Sequence, residues 1–160
     1  MKSEVSRGDE VYTEDVFEVL LEYEISRTNR YPSPLSLLYI EIAPSGLKDA
    51  SLGGASKVFT SALNRHLRSV DIPSGSGNEY KVLLPTTSSN GLRSVCERLL
   101  SIFKSKFNAP DGSSIAFSLN IGAASHVGGK SLTREYLFEN AQSALKKSKL
   151  KGPNTYVIHP

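Results

Sequence analysis

The chain has no tryptophan, one methionine and one cysteine among its 160 residues. Cys96 therefore cannot close an internal disulfide. It falls on the apolar face of a helical repeat, which reads as a buried structural thiol rather than a nucleophile. No apolar run reaches the roughly 20 residues that a membrane-spanning helix needs. The opening stretch, MKSEVSRGDE, lacks the apolar core of a secretory leader. These absences point to a cytoplasmic protein, or a cytoplasmic domain of a longer one, with no membrane insertion. Neither charge dominates: 19 Lys and Arg against 16 Asp and Glu leave a net +3. So mild an excess favours a solvated basic surface over nucleic-acid binding. His66, His126 and His159 show no zinc-ligand spacing, and His66 is expected to pack on the apolar face of its helix. GGK at 128–130 lacks the rest of a phosphate loop and reads as a turn.

What is present fits one globular domain with a full core. No repeat and no linker divides the chain. Residues 1–12 are expected to be a loose N-terminal segment and 13–160 a single domain. Val16, Phe17, Leu20, Leu21 and Tyr23 recur at helical spacing behind Thr13, a suitable N-cap, and RYPSP stops the helix. LSLLYIEI (35–42) is a nearly unbroken apolar run, as in a strand buried on both faces. The stretch 43–54 reads as loop and Ala55–Leu67 as an amphipathic helix. SGSGNEYKVLLP (74–85) reads as a hairpin, since Gly77 and Asn78 tolerate the positive φ of tight turns. A third helix carries Leu92, Val95, Cys96, Leu99 and Phe103. A long strand follows over IAFSLNIGAAS, then a helix with Leu137, Phe138, Ala141 and Ala144, then a short last strand, TYVIH. KKSKLKG (146–152) closes the fourth helix, where lysines suit the helix dipole and stay solvated. The order implies an α/β sandwich with a mixed sheet and packed helices.

Five stretches in this order resemble the GGDEF domain, the diguanylate cyclase family. PLSLLYIEI is similar to that family's first strand. SGNEYKVLLP resembles the signature hairpin. CERL, FSLNIGAAS and ENAQSALKKSKLKGPNTYV resemble the later helix, strand and helix–strand motifs. The resemblance runs from about Thr13 to His159. It implies a palm-like α/β (α+β) fold with a central, about five-stranded sheet, and condensation of two GTP into cyclic di-GMP. In that reaction two divalent cations, held by carboxylates, lower the pKa of a 3′-hydroxyl that attacks an α-phosphate.

Carried over residue by residue, the resemblance implies losses. Glu41 stands at the strand-one metal ligand, and the second acid of that strand falls on Ala43. Within the signature, Ser76 replaces the first glycine and Asn78 the first acid, Gly77 and Glu79 are kept, and Tyr80 replaces phenylalanine. The guanine-binding loop is short, with Asp49 its nearest polar group. Lys149 matches a phosphate-binding lysine, but the neighbouring arginine is Pro153. Glu41, Asn78 and Glu79 are accordingly expected as remnants of a catalytic centre, with no resident cofactor and Mg²⁺ only if residual GTP binding persists. RSVD (68–71) resembles the family's RxxD inhibitory motif, with a four-residue gap to the signature where the family has five. With Arg98 from the next helix, Arg68 and Asp71 complete the trio that binds cyclic di-GMP in the family. Three readings follow: a cyclic di-GMP or nucleotide sensor at Arg68, Asp71 and Arg98; a scaffold for a protein partner or self-association; and a weak cyclase using Glu41 and Glu79.

Overall fold

The computed structural model of the chain describes residue 8, residues 10–46 and residues 52–160. Asp49 lies outside the described residues. Ten elements follow one another: α1 (Glu14–Arg30), β1 (Leu35–Ser45), α2 (Leu52–His66), β2 (Ile72–Ser76), β3 (Glu79–Pro85), α3 (Ser89–Ile102), β4 (Phe107–Asn108), β5 (Ser114–His126), α4 (Arg134–Lys151) and β6 (Thr155–Ile158). Side-chain hydroxyls set three helix starts. Thr13 Oγ1 accepts from Val16 N, Ser88 Oγ from Gly91 N and Thr133 Oγ1 from Tyr136 N, each satisfying a donor the helix leaves unpaired.

The six strands form one mixed sheet in the order β2-β3-β1-β5-β4, with β6 also on β5. All pairings are antiparallel except β5–β6, which runs parallel over Asn120–Ala123. β1 is central and explains its own composition. Leu38, Ile40 and Ile42 enter one core with Phe59 and Leu63 of α2 and Leu92, Cys96 and Leu99 of α3. Leu35 and Leu37 enter the other, with Phe17 and Leu21 of α1 and Leu137, Phe138 and Ala141 of α4. The molecule is thus three layers, α1/α4, sheet and α2/α3, so a continuous apolar run is what β1 requires. α4 packs directly over Gly122, where an added Cβ would lie 2.0 Å from Leu145 N and 2.5 Å from the Ala141 carbonyl.

Four expectations are corrected. Ala43, Pro44 and Ser45 continue β1 rather than open a loop, paired with Ser118, Phe117 and Ala116. The 13-residue β5 offers a partner edge that far, and β3 no longer flanks β1 beyond Glu41, so Pro44 sits where a missing donor is tolerated. α2 starts at Leu52, three residues before the expected Ala55. β4 is an additional strand, too short at two residues to show any periodicity. His66 is exposed at the end of α2; as the last helical residue its outward placement follows from where the helix stops.

Candidate functional site

The hairpin forms as the sequence indicates. β2 and β3 pair from Ile72↔Leu83 to Ser76↔Glu79, leaving Gly77 and Asn78 as the turn. Only Gly77 of the two has positive φ, +63°, the pattern of a turn with glycine first. Asn78 needs no such freedom; its carbonyl instead accepts from Ile42 N at 2.8 Å, tying the turn to β1. Tyr80 anchors the turn from below. Its ring lies on Phe59 with centroids 4.8 Å apart. Its hydroxyl reaches the Gly77 carbonyl at 3.0 Å and shares a hydrogen bond with Ser56 of α2. A phenylalanine could make the ring contact but neither hydrogen bond. Burial pushes the Tyr80 phenol pKa up.

Strand period places the carboxylates. Glu41 falls on the face of Leu37 and Tyr39, the one α4 covers, and it is the direct partner of Glu79 across β1–β3. Two like charges opposite each other on a sheet repel. Lys149 of α4 meets them: its Nζ lies 2.9 Å from Glu41 Oε1. The hydrogen bond and charge of Glu41 raise the Lys149 pKa above its ordinary value, with a smaller contribution from Glu79. Beside this pair lies a cavity of about 500 Å³ lined by Tyr39, Glu41, Glu79, Glu139, Gln142 and Lys149 among others, within the size range of small-molecule sites. Burial pushes the Tyr39 phenol up to about 12, and Gln142 donates to its oxygen at 3.2 Å. Ala43, Ser76 and Asn78 are exposed around this end of the sheet. Among the described residues no three His, Cys, Asp or Glu side chains are grouped to hold a metal ion.

The RSVD turn follows α2 on the other side of the hairpin. Asp71 is 3% exposed. It accepts from Arg68 N at 2.8 Å, from Arg68 Nη2 at 2.8 Å and from Arg68 Nε at 3.1 Å. Arg68 Nη2 also donates to the Pro85 carbonyl at 2.7 Å and to Thr87 Oγ1 at 2.9 Å. The guanidinium thereby links the α2–β2 turn to the β3–α3 turn while its side chain stays 49% exposed. Arg98 of α3 is exposed and donates from Nη2 to the His66 carbonyl at 3.1 Å. Both arginines therefore stand at the exit of α2, one bonded to its last residue and the other two residues beyond.

The structure thus brings Glu41, Glu79 and Lys149 together at one end of the sheet, and Arg68, Asp71 and Arg98 together at the end of α2. Pro153 lies in the α4–β6 turn, whose neighbouring residues bond to β5. Asn154, at φ +60°, accepts from Leu119 N, and Asn120 Nδ2 donates to the Gly152 carbonyl and to Ser148, which fastens the α4–β6 turn to β5. Sequence reading missed Glu139, Gln142 and Lys146 as cavity walls. Their spacing with Lys149, three or four residues apart, marks one helix face and was the available signal. It missed Pro85 and Thr87 as partners of Arg68, for which no local signal exists.

No family model matches the chain. It is 30% identical over 142 residues to the diguanylate cyclase DosC of Escherichia coli (strain K12), an alignment covering 84% of this chain and 30% of that protein. The chain thus spans about 30% of the length of the curated relatives it matches. Among solved structures, the GGDEF domain of YfiN (TpbB) from Pseudomonas aeruginosa superposes with a TM-score of 0.74 at 21% identity, over 94% of this chain and 91% of that one. The GGDEF domain of DgcB from Caulobacter crescentus, in complex with c-di-GMP, gives 0.73 at 14% identity, over 98% and 93%. At these identities the superpositions establish the fold: a signature hairpin beside a central strand, sheathed by two helix pairs. The chain thus has the GGDEF-domain fold, and its sequence similarity to DosC supports a GGDEF diguanylate cyclase-like domain.

Proposed function

We propose that this domain reads cyclic di-GMP instead of making it. Cyclization of GTP needs two hard cations clasped by several carboxylate oxygens. The sheet end supplies Glu41 and Glu79; Asn78 contributes a neutral amide, Ala43 no acid, and the Lys149 ammonium occupies Glu41. This donor set does not fit a cation pair. The domain is on this reading a degenerate cyclase without a resident cofactor.

The observation that carries the sensor reading is the pair of exposed arginines, from α2–β2 and from α3, at one helix exit. Guanidinium groups in that arrangement suit a phosphodiester, through charge-assisted hydrogen bonds, and suit guanine by stacking. Asp71 serves as a positioning residue that fixes Arg68 at Nε and Nη2. A second reading, a scaffold for protein partners, is favoured by one fact: the bonds of Arg68 to Pro85 and Thr87 give it a role without any ligand.

Thermal melts with cyclic di-GMP, GTP and GDP, each with and without Mg²⁺, separate the two. Ligand at a hundred times its Kd stabilises by about 2.7 kcal/mol, or roughly 5–10 °C for a domain of this size. The sensor reading expects that shift from cyclic di-GMP alone and independent of Mg²⁺. No shift with any ligand leaves the scaffold.

A further inference from the structure

α2 turns Phe59, Ala62 and Leu63 into the core. Its outer side carries Lys57, Ser61 and Arg65, which recur every four residues and so stack on successive turns. Between this stripe and the chain around β4 runs a groove of about 420 Å³. Lys57, Val58 and Arg65 wall it on one side, and Phe107, Ala109 and Pro110 on the other. It shares no residue with the cavity beside Glu41 and Lys149, which α4 covers on the opposite side of the sheet.

The groove is basic and its charge is uncompensated. Lys57 and Arg65 are exposed, and neither is in an ion pair among the described residues. Arg65 Nη1 donates to Ser61 Oγ at 3.1 Å, which holds the guanidinium back along the helix. Lys104 and Lys106, on the approach to β4, are also exposed and outside every such pair. The nearest acid in sequence, Asp111, accepts from Ser113 N at 2.9 Å and from Ser113 Oγ at 2.6 Å, so its carboxylate is engaged in its own turn. The apolar wall narrows the choice of anion. Phe107 is engaged with Phe103 and Phe117, at centroid distances of 5.3 and 5.7 Å. A nucleic-acid strand needs aromatic faces on which bases stack; here Val58, Ala109 and Pro110 complete a cleft suited to an aliphatic side chain. β4 also ends the strand order of the sheet, and a strand edge accepts an extended peptide.

We infer that this groove docks an extended acidic segment of a partner protein, with one aliphatic side chain set between two carboxylates. The spacing fixes the pattern. Lys57 and Arg65 are eight residues apart, about 12 Å along a helix at 1.5 Å per residue. Both side chains lean toward the helix N-terminus, so their heads keep that separation. An extended peptide covers about 13 Å in four residues, and its residues i, i+2 and i+4 face one way. The segment therefore reads acid-x-aliphatic-x-acid: the carboxylates meet Lys57 and Arg65, and the aliphatic side chain enters between Val58 and Pro110. Two exposed ion pairs and one apolar anchor give a transient contact, with a Kd on the order of 1 mM.

NMR titration of the isotope-labelled chain with the capped peptide SESLSES, up to about 5 mM, tests this. Saturating amide shifts are expected along 57–65 and 107–110. They should weaken as salt rises. The peptide SESSSES, which lacks the aliphatic anchor, should bind roughly fivefold or more weakly. Lys57→Glu combined with Arg65→Glu, both at exposed positions, should keep the wild-type circular dichroism and melting temperature. That variant should lose SESLSES and gain SKSLSKS, which the wild type should not bind. No shifts with SESLSES, shifts confined to other residues, or a double variant that still binds SESLSES each overturns the proposal. So does a uridine hexanucleotide that shifts these residues more than the peptide does, since the groove would then take nucleic acid.

Discussion

Asp71 is the only carboxylate among the described buried side chains, and its replacement gives a direct measure of what the RSVD turn does. Asp71→Ala removes the acceptor of one backbone N–H and of two guanidinium nitrogens. Breaking a fully buried ion pair costs about 3–5 kcal/mol. Arg68 is 49% exposed, so water rehydrates its freed head, and the ion-pair loss shrinks toward about 1 kcal/mol. The backbone N–H of Arg68 then lacks an acceptor at about 1–3 kcal/mol. The sum is about 3 kcal/mol, or a fall in Tm of roughly 6–12 °C. Urea unfolding followed by far-ultraviolet circular dichroism reads this as a lower midpoint at unchanged slope. Asp71→Asn keeps an acceptor and should lose about half as much. In a double-mutant cycle with Arg68→Ala the pair should show a coupling of at least about 1 kcal/mol. Arg98→Ala, at an exposed position, should change stability by no more than about 0.5 kcal/mol. An Asp71→Ala protein within about 0.5 kcal/mol of wild type, or an additive cycle, would show that the turn is not held by this pair.

Three further expectations follow from single contacts. Gly122→Ala drives a methyl into backbone atoms of α4, which cannot swing aside, and should destabilise by at least the roughly 1–3 kcal/mol of ordinary overpacking, read by the same urea titration. Folding raises the Lys149 pKa through Glu41. The pair's contribution is therefore complete below the unfolded lysine value of about 10.4 and fades as pH rises through the higher folded value. NMR titration of the Lys149 ammonium should show this, and Glu41→Gln should bring the midpoint back down. Purified protein given GTP with Mg²⁺ or Mn²⁺ should form no cyclic di-GMP above background, and Asn78→Asp alone should not restore it. Steady product that disappears in Glu79→Gln would contradict the proposed loss of catalysis.

Much of the fold was legible because its signals are local. Thr13 capping α1, the Gly77–Asn78 turn and the apolar run of β1 each depend on residues adjacent in sequence. The helix–strand order, together with five motif stretches in that order, then carried the resemblance. What stayed hidden depends on neighbours distant in sequence. Ala43–Ser45 form strand because β5 extends past them, which no property of APS indicates. The placement of Glu41 was legible once its strand face was known, but its pairing with Lys149 requires α4 to lie over that face. The RSVD residues were recognisable as a motif, yet the commitment of Arg68 to Pro85 and Thr87, 17 and 19 residues away, follows only from how the hairpin packs against α2. The Asn78 turn was expected to draw on asparagine's tolerance of positive φ; glycine alone supplies it.

The central claim, a cyclic di-GMP site at the exit of α2, is tested most directly by isothermal titration calorimetry of the wild type, Arg98→Ala and Lys149→Ala with cyclic di-GMP. Arg98 is the suitable probe because its removal leaves the Arg68–Asp71 pair intact. Saturable heat is expected from the wild type, with binding weakened roughly tenfold or more in Arg98→Ala, as loss of a charge-assisted hydrogen bond worth about 1.5–3 kcal/mol implies. Lys149→Ala should bind as the wild type does. No heat from the wild type, or loss of binding in Lys149→Ala with none in Arg98→Ala, would contradict the account.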